Sequence, residues 1–436
     1  MKHIHYLFLI IAFVLLRSAV STTQETEGFV PLFNGVDLNN WVNVNCAPET
    51  WTVRDQMIVC SGIPTGVLRT VKQYENFILE LEWRHMKEGG NAGLFVHSGA
   101  LPVTGKPFTR AIECQIMDGN HGDVFAIQGA TLTPDNSDLE KPWMRSYPRY
   151  EMVNPAGEWN HYLIECRDGL ISLAVNGRVV TTAFHLNPRK GYICLESEGS
   201  EIFFRNIRIK ELPGTNPPLE VTAEVDQGFH SLYNGLDLRG WKRVEGNKGH
   251  WQSRKWILAY DGKSLAVGKD KHLWTEKEYR NFILMVDWRQ PQKPTPQDVP
   301  VILPNGDQAE DANGKEKNIV VLDAGDSGIY LRGTSKCQIN IWNWPVGSGE
   351  IWGYRTDQAM PEEVRRAATP ILNADNPPGE WNRFIITAID NKITVELNGK
   401  TVIKEAYLPG LPEKGHIALQ HHGDQIEFAN IYIKEL

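Results

Sequence analysis

The segment Tyr74–Arg84 reads YENFILELEWR, and Tyr279–Arg289 reads YRNFILMVDWR. In the first, Phe77, Leu79, Leu81 and Trp83 alternate with Ile78, Glu80, Glu82 and Arg84. That period of two predicts a half-buried strand. Phe282, Leu284, Val286 and Trp288 take the inward positions in the second copy. Other segments recur around these two in the same order. GFVPLFNGVDLNNW (Gly28–Trp41) returns as GFHSLYNGLDLRGW (Gly228–Trp241), NAGLFVH (Asn91–His97) as DSGIYLR (Asp326–Arg332), and NPAGEWN (Asn154–Asn160) as NPPGEWN (Asn376–Asn382). FFRNIRIKEL, ending at Leu212, returns as EFANIYIKEL, ending at Leu436. A unit of roughly two hundred residues is too long for a solenoid repeat and ordinary for one β-sandwich. The chain is a duplicated domain, and each half tests readings of the other.

Asn176-Gly177 sits between Ile171–Val175 and Arg178–Thr181 and is the favoured turn of a two-residue hairpin. Asn398-Gly399 repeats it. Short strands punctuated by Gly, Asn and Pro, with helical periodicity confined to Glu362–Ala368, predict an all-β chain of two tandem antiparallel sandwiches. The expected layout is a signal segment over 1–21, a first sandwich over 22–212, a linker over 213–227 opened by PGTNPP, and a second sandwich over 228–436. Copy spacing grows from 205 (279 − 74) to 235 (326 − 91), so repeat 2 carries about thirty extra residues around 290–324. A loop that long beside a sheet is often functional. Asp311, Asn313 and Gly314 within it resemble a calcium loop, although a bidentate glutamate is missing from the required spacing.

Lys2, the apolar run Tyr6–Leu16 and the small residues Ala19-Val20-Ser21 have the form of a secretory signal. The run is about ten residues, short of the roughly twenty needed to span a bilayer, and an uncleaved anchor is the alternative. Export to the periplasm or outside the cell is therefore expected. Loss of Lys2 and Arg17 takes the net charge from −8 to −10, a sign that argues against nucleic acid or an anionic membrane as partner. Six cysteines in an exported chain invite disulfides. The duplication restricts them: Cys166 and Cys194 match Ala388 and Ala418, and Cys114 and Cys337 match Ile339 and Ile112, so these four read as buried free thiols. Cys46 and Cys60, which flank one candidate hairpin, remain open to a bridge. Most of the fourteen tryptophans sit at echoed strand positions and read as core.

Alternation also reads the polar faces. In Ala111–Asp118, Ile112, Cys114 and Ile116 point inward, so Glu113, Gln115 and Met117 point out, with Asp118 at the strand end and His121 three residues on. The same rule puts His97 on the polar side of its strand, opposite Leu94 and Val96, and Glu196 and Glu198 outward beside Leu195. Carboxylates and two histidines on one face can transfer protons or bind a divalent cation. In repeat 2 the polar face carries Gln338, Asn340 and Trp342, with Arg332 for His97 and Gln420 and His422 for Glu196 and Glu198. Amides with an indole plate are suited to holding a sugar. There is no Gly-rich phosphate loop, Gly-x-Ser-x-Gly elbow or paired-cysteine zinc signature.

Together, F-N-G-x-D-L-x-x-W, the strand ending E-W-R, N-x-G-[LI]-[FY], E-x-Q-[IV]-x-D, G-E-W-N and a closing L-Q-x-H-G resemble the 3-keto-disaccharide hydrolase domain family, once per repeat. The resemblance implies a concanavalin-like jelly-roll and activity on sugars oxidised at C3, in some members with a divalent metal. Repeat 1 matches the E-x-Q-x-x-D portion with Glu113, Gln115 and Asp118 but has Leu195-Glu196-Ser197-Glu198-Gly199 at the closing motif. Repeat 2 matches the close with Leu419-Gln420-His421-His422-Gly423 but has Gln338 and Asn343 for the carboxylates. His421 alternates toward the core.

These residues support an exported carbohydrate-active enzyme that takes a proton from C2 of a 3-keto-glycoside, eliminates at C1 and adds water. Glu113 or His121 is the candidate base, with Asp118 and His97 orienting it or holding a metal. Gln115, Arg332, Gln338, Asn340, Trp342, Gln420 and His422 are the candidate sugar contacts. The rival from another class is a lectin-like binding protein, which the split motif favours. An ordinary glucanase is disfavoured because the E-x-D-x-x-E strand is absent.

Overall fold

A computed structural model describes residues 28–137 and 144–436; the signal segment expected at 1–21 lies outside the described residues. Each repeat is two antiparallel sheets packed face to face. The back sheet of repeat 1 runs Thr131–Pro134, Arg178–Asn187, Leu170–Val175, Asn160–Arg167, Phe77–His85, Ile202–Glu211, Met57–Cys60, Trp51–Arg54. Its front sheet runs Arg145–Ser146, Val124–Ile127, Ala111–Met117, Asn91–Ser98, Tyr192–Ser197, Gly66–Thr70, Trp41–Val44. Repeat 2 rebuilds the back sheet around Phe282–Arg289, flanked by Ile426–Glu435 and Asn382–Ile389. Its front sheet has four strands: Leu273–Tyr279, Gly415–Leu419, Ser327–Leu331 and Thr334–Ile341. This is the all-β tandem jelly-roll sandwich expected from the sequence. Among the described residues no helix is long and apolar enough to cross a membrane.

Strand Phe77–His85 alternates buried and partly exposed residues along its length. Phe77, Leu79, Leu81 and Trp83 meet Leu94, Val96, Ile112, Cys114 and Ile116 of the front sheet in one core. Each fully buried side chain of this size contributes about 1.5–3 kcal/mol. A one-residue slip would turn the whole set to solvent, so the register is firmly specified. The Asn176-Gly177 hairpin forms with Val175 opposite Arg178, and the expected helix forms as Glu362–Ala367.

The pattern of the second strand departs from period two: Met285 and Asp287 are also buried, at 3 % and 0 % exposure. The cause is repeat 1. Its 99–110 loop lays Leu101 and Phe108 over an apolar half of the front face, on Phe95, Tyr192 and Cys194. The loop then docks on the back sheet of repeat 2. Gly105 N–H donates to Asp287 Oδ2 (2.7 Å), Asn430 Nδ2 to the carbonyls of Val103 (3.1 Å) and Lys106 (3.0 Å), and Arg383 Nη2 to Pro102 O (2.9 Å). Arg383 neutralises Asp287 through Nε at 2.6 Å. Gly105 has φ +65°, and a Cβ there would lie 2.1 Å from Trp381 Cγ, so only glycine fits. The matching residues of repeat 1 are Glu82, His161 and Asn206, none of them buried.

All six cysteines are buried and free. For four this is the expectation; the bridge left open between Cys46 and Cys60 is not made. Cys46 Sγ donates to Pro64 O (3.7 Å) and Cys60 Sγ accepts from Gly62 N–H (3.3 Å), each sulfur engaging the same loop separately. Burial pushes both thiols up, that of Cys60 to about 11.

Candidate functional site

Strands Ala111–Met117, Asn91–Ser98 and Tyr192–Ser197 lie side by side in the front sheet of repeat 1. Ile112, Cys114 and Ile116 enter the core, which puts Glu113 and Gln115 on the outer face. Gly93 pairs with Gln115 across the strands. Its missing side chain leaves a hollow into which two carboxylates lean: a Cβ at Gly93 would lie 2.7 Å from Glu113 Oε1 and 2.7 Å from Glu196 Oε2. Glu198, two residues along, accepts from Asn91 Nδ2 at 2.5 Å. Glu113 and Glu196 are 5 % and 1 % exposed, whereas Glu198 is only partly buried.

Burial raises the pKa of all three. The charge of Glu198 adds to the effect on Glu113, and the charges of Glu113 and Glu198 add to that on Glu196. Arg145 pulls Glu113 the other way, and Asn91 and Lys255 of repeat 2 do the same for Glu198. Carboxyls this close do not all ionise near neutrality. Burial first, and then the charges of both others, hold Glu196 well above the usual carboxylate range. Carboxyls held apart in this way can supply an acid and a base side by side.

His97 is not part of this group. It sits at φ +53° where the pairing with Tyr192–Ser197 slips register, and such a bulge re-aims a side chain. Its ring meets Phe77 edge-on at 5.7 Å, Nε2 lies 2.9 Å from Glu75 O, and burial lowers its pKa to about 4. Arg332, its counterpart in repeat 2, sits at φ +52° in the two-residue turn between Leu331 and Thr334. Its guanidinium donates to the carbonyls of Arg280, Asp390 and Pro412 and to Asn281 Oδ1. Both residues are pegs at the sandwich edge, which corrects their expected place on the polar face.

Asp118 and His121 are also apart from Glu113 and Gln115. Asp118 Oδ2 accepts from Gly89 N–H (2.7 Å). His121 stacks on the inward-facing Trp83 with centroids 5.1 Å apart. With His85 and Glu151 they line a separate cavity of about 260 Å³. Its mouth is at the end of the sandwich because the strand stops at Met117 and alternation ends with it. Burial, with His85 adding, lowers His121 to about 4. Gln115 stays on the outer face, its Oε1 accepting from Ile116 N–H (2.9 Å).

In repeat 2 Gln338, Gln420 and Gly328 stand where repeat 1 has Glu113, Glu196 and Gly93. Gln338 Nε2 donates to Asn340 Oδ1 (2.5 Å) and Gln420 Oε1 (3.0 Å), and Gln420 Nε2 donates to Tyr330 Oη (2.9 Å). These expected sugar contacts bond one another. Trp342, 2 % exposed, lies under Trp344 with ring centroids 3.9 Å apart. Trp344 therefore presents the outer aromatic face. His422 keeps an open position, Nε2 4.0 Å from Asp326 Oδ2.

Asp311 receives the N–H groups of Asn313 (2.8 Å) and Lys315 (3.0 Å), so its turn is closed on itself. Among the described residues no three His, Cys, Asp or Glu side chains are placed to hold a metal ion. The described residues do not fit one.

Residues 28–210 and 228–434 each match the model of the 3-keto-alpha-glucoside-1,2-lyase-like domain. The chain belongs to this family, twice over. A 3-keto-disaccharide hydrolase of Bacteroides thetaiotaomicron is 26 % identical over 246 residues, covering 43 % of this chain and 80 % of that protein. A Parabacteroides distasonis protein, assigned as a glycosyl hydrolase, is 26 % identical over 43 % of this chain and 96 % of its own, with a TM-score of 0.35. A Bacillus licheniformis β-glucanase is 13 % identical over 43 % of this chain and 100 % of its own, with a TM-score of 0.31. The family is carbohydrate-active.

Within the 3-keto-glucoside lyase-like fold, Glu196 and Glu198 turn out to matter more than His97, Asp118 or His121 for the group around Glu113. Alternation turns both outward. Their meeting with Glu113 depends on the strand order, which places Tyr192–Ser197 beside Asn91–Ser98, and on the hollow at Gly93. Neither is written in local sequence. Asp326 and Trp344 carry a weaker signal: Asp326 replaces Asn91 of the first copy, and Trp344 follows Trp342 by two.

Proposed function

We propose that the chain is an exported enzyme cleaving 3-keto-glycosides, with the carboxyls of repeat 1 as its proton-transfer groups. The convergence of Glu113 and Glu196 over Gly93, with Glu198 beside them, carries this reading. A C3 ketone acidifies the C2 proton. Glu198, the most exposed and least perturbed member, takes that proton, and the C2–H electrons become an enolate on the C3 oxygen. Gln115, whose Oε1 is occupied by Ile116 N–H, offers its amide N–H groups to that oxygen. The enolate collapses to the ketone as C1=C2 forms and the C1–O bond breaks. Glu196 gives its proton to the leaving oxygen. Water then adds across C1=C2, hydroxyl to C1 and proton to C2, completing net hydrolysis.

The test is to incubate full-length protein with a 3-keto-disaccharide and with its unoxidised parent, each with and without chelator. Only the keto sugar should be cleaved. Glu196→Gln and Glu198→Gln should each lower kcat by about 10²–10⁴. Full activity in both variants defeats the assignment, and loss of activity with chelator shows a metal requirement. A second reading, a sugar-binding protein without turnover, is favoured by one observation: Glu113 and Glu196 are almost completely covered. Binding of the unoxidised parent with no cleavage of the keto form would establish it.

A further inference from the structure

The insertion of repeat 2 folds as an antiparallel hairpin, Thr295–Pro300 against Asn318–Asp323. It stands over the end of the front sheet and, with Gln292, walls a cavity of about 400 Å³. Lys293, Asp323, Asp326, Asp424, His422 and Trp344 line most of the rest of that cavity. None of these residues belongs to the carboxyl group of repeat 1. We propose that this cavity is a second saccharide site, built for a neutral pyranose, with Trp344 as the stacking plate and Asp326 as a hydrogen-bond donor.

The plate is held rigidly. Trp344 lies 10° from parallel on Trp342, and the Trp342 indole N–H is anchored to Gly347 O at 2.9 Å. A fixed indole beside polar groups matches the apolar face and hydroxyl rim of a pyranose ring. The polar groups are also placed. Asp326 N–H donates to Asp424 Oδ2 (3.0 Å), and Gln292 Nε2 donates to Asp424 Oδ1 (3.2 Å) and also to Ala324 O. Asp326 Oδ1 is buried and has no partner among the described residues. Unpaired buried groups of this kind cost stability unless a ligand meets them.

Charge selects the class of sugar. Burial, then the neighbouring Asp323, Asp424 and Glu350, raise Asp326 to about 8, so it carries a proton at neutral pH and donates. Asp424 and Asp323 remain as acceptors for hydroxyls. Asp298, Asp323 and Asp424 outnumber the one lysine of the lining, Lys293, and this acidic balance disfavours uronates and sulfated sugars. The half-exposed His422 lies 4.0 Å from Asp326 at the rim.

The experiment titrates the full-length protein with cellobiose, maltose, laminaribiose and glucuronate, following tryptophan fluorescence and binding heat. At least one neutral disaccharide should bind and glucuronate should not. Trp344→Ala should weaken that binding at least tenfold with an unchanged urea midpoint. Wild-type binding should fall as pH rises through about 8, because the Asp326 proton is lost there. Asp326→Asn, which keeps a donor, should bind with a flat pH profile and so separates ligand contact from folding. Glu113→Gln should leave this binding intact, which keeps the outcome independent of the reaction proposed for repeat 1. No binding of any neutral probe, an unaffected Trp344→Ala, or loss of binding only in Glu113→Gln overturns the proposal.

Discussion

Replacing Glu196 with glutamine removes a carboxyl that is 1 % exposed and faces Glu113 across Gly93. The consequence for folding needs no assumption about substrate. Burial and the charges of Glu113 and Glu198 hold this carboxyl well above its ordinary value of 4.5. Below that pH it is protonated in both the folded and the unfolded chain and costs nothing. As pH rises further, the unfolded chain ionises freely while the folded one resists, so stability drains away until the folded pKa is passed. Every factor of ten by which the folded protein holds the proton more tightly is worth about 1.4 kcal/mol. Glutamine has the same shape and no charge. Glu196→Gln should therefore match wild type in urea unfolding at pH 4 and exceed it by at least about 1.4 kcal/mol at pH 8, while losing turnover. Parallel curves for the two proteins from pH 4 to 9 would refute the argument, because they would mean that Glu196 ionises in the fold as easily as in water.

Asp287→Ala leaves Arg383 unpaired and strips Gly105 N–H of its acceptor; urea unfolding should show a loss of about 3–5 kcal/mol, as for other broken buried pairs. The six thiols should react with a disulfide reagent only after denaturation, giving no titre in the native protein and six in urea, since burial keeps each protonated and covered. Hydrogen-exchange protection factors, corrected for intrinsic rate, should fall between pH 6 and 9 in strand Ala111–Met117 and stay level in Thr334–Ile341. The second strand has Gln338 where the first has Glu113, and so has no charge to bury.

Sandwich architecture was readable because it rests on alternation, a local property: Phe77, Leu79, Leu81 and Trp83 are inside because they are two apart. Alternation also placed Glu113, Gln115 and Glu196 correctly on the outer face. It failed at His97 and Arg332 for a physical reason. His97 lies at positive φ in a bulge, where one residue of chain is spent without advancing the ladder, and Arg332 lies at positive φ in the turn between Leu331 and Thr334, so each side chain leaves the alternating pattern. It failed again at Asp118 and His121, which lie past the strand end, where no period exists to extrapolate. The burial of Asp287 was invisible for a third reason, since it is imposed by a loop lying 182 residues earlier in the chain.

Duplication supplies the comparison that a single domain lacks. At one place on two copies of the same sheet, repeat 1 keeps two buried carboxyls over a glycine, and repeat 2 keeps two amides over a glycine. The amides satisfy each other and impose no ionisation cost, so folding alone favours the arrangement of repeat 2. The carboxyls of repeat 1 are a standing liability above pH 4.5, and burying them has no benefit to packing that glutamine would not also give. A costly group kept in register beside a cheaper equivalent on the same chain is the pattern expected where protons are handled. The cavity at Trp344 and Asp326 then gives repeat 2 a task that its amide ladder does not perform.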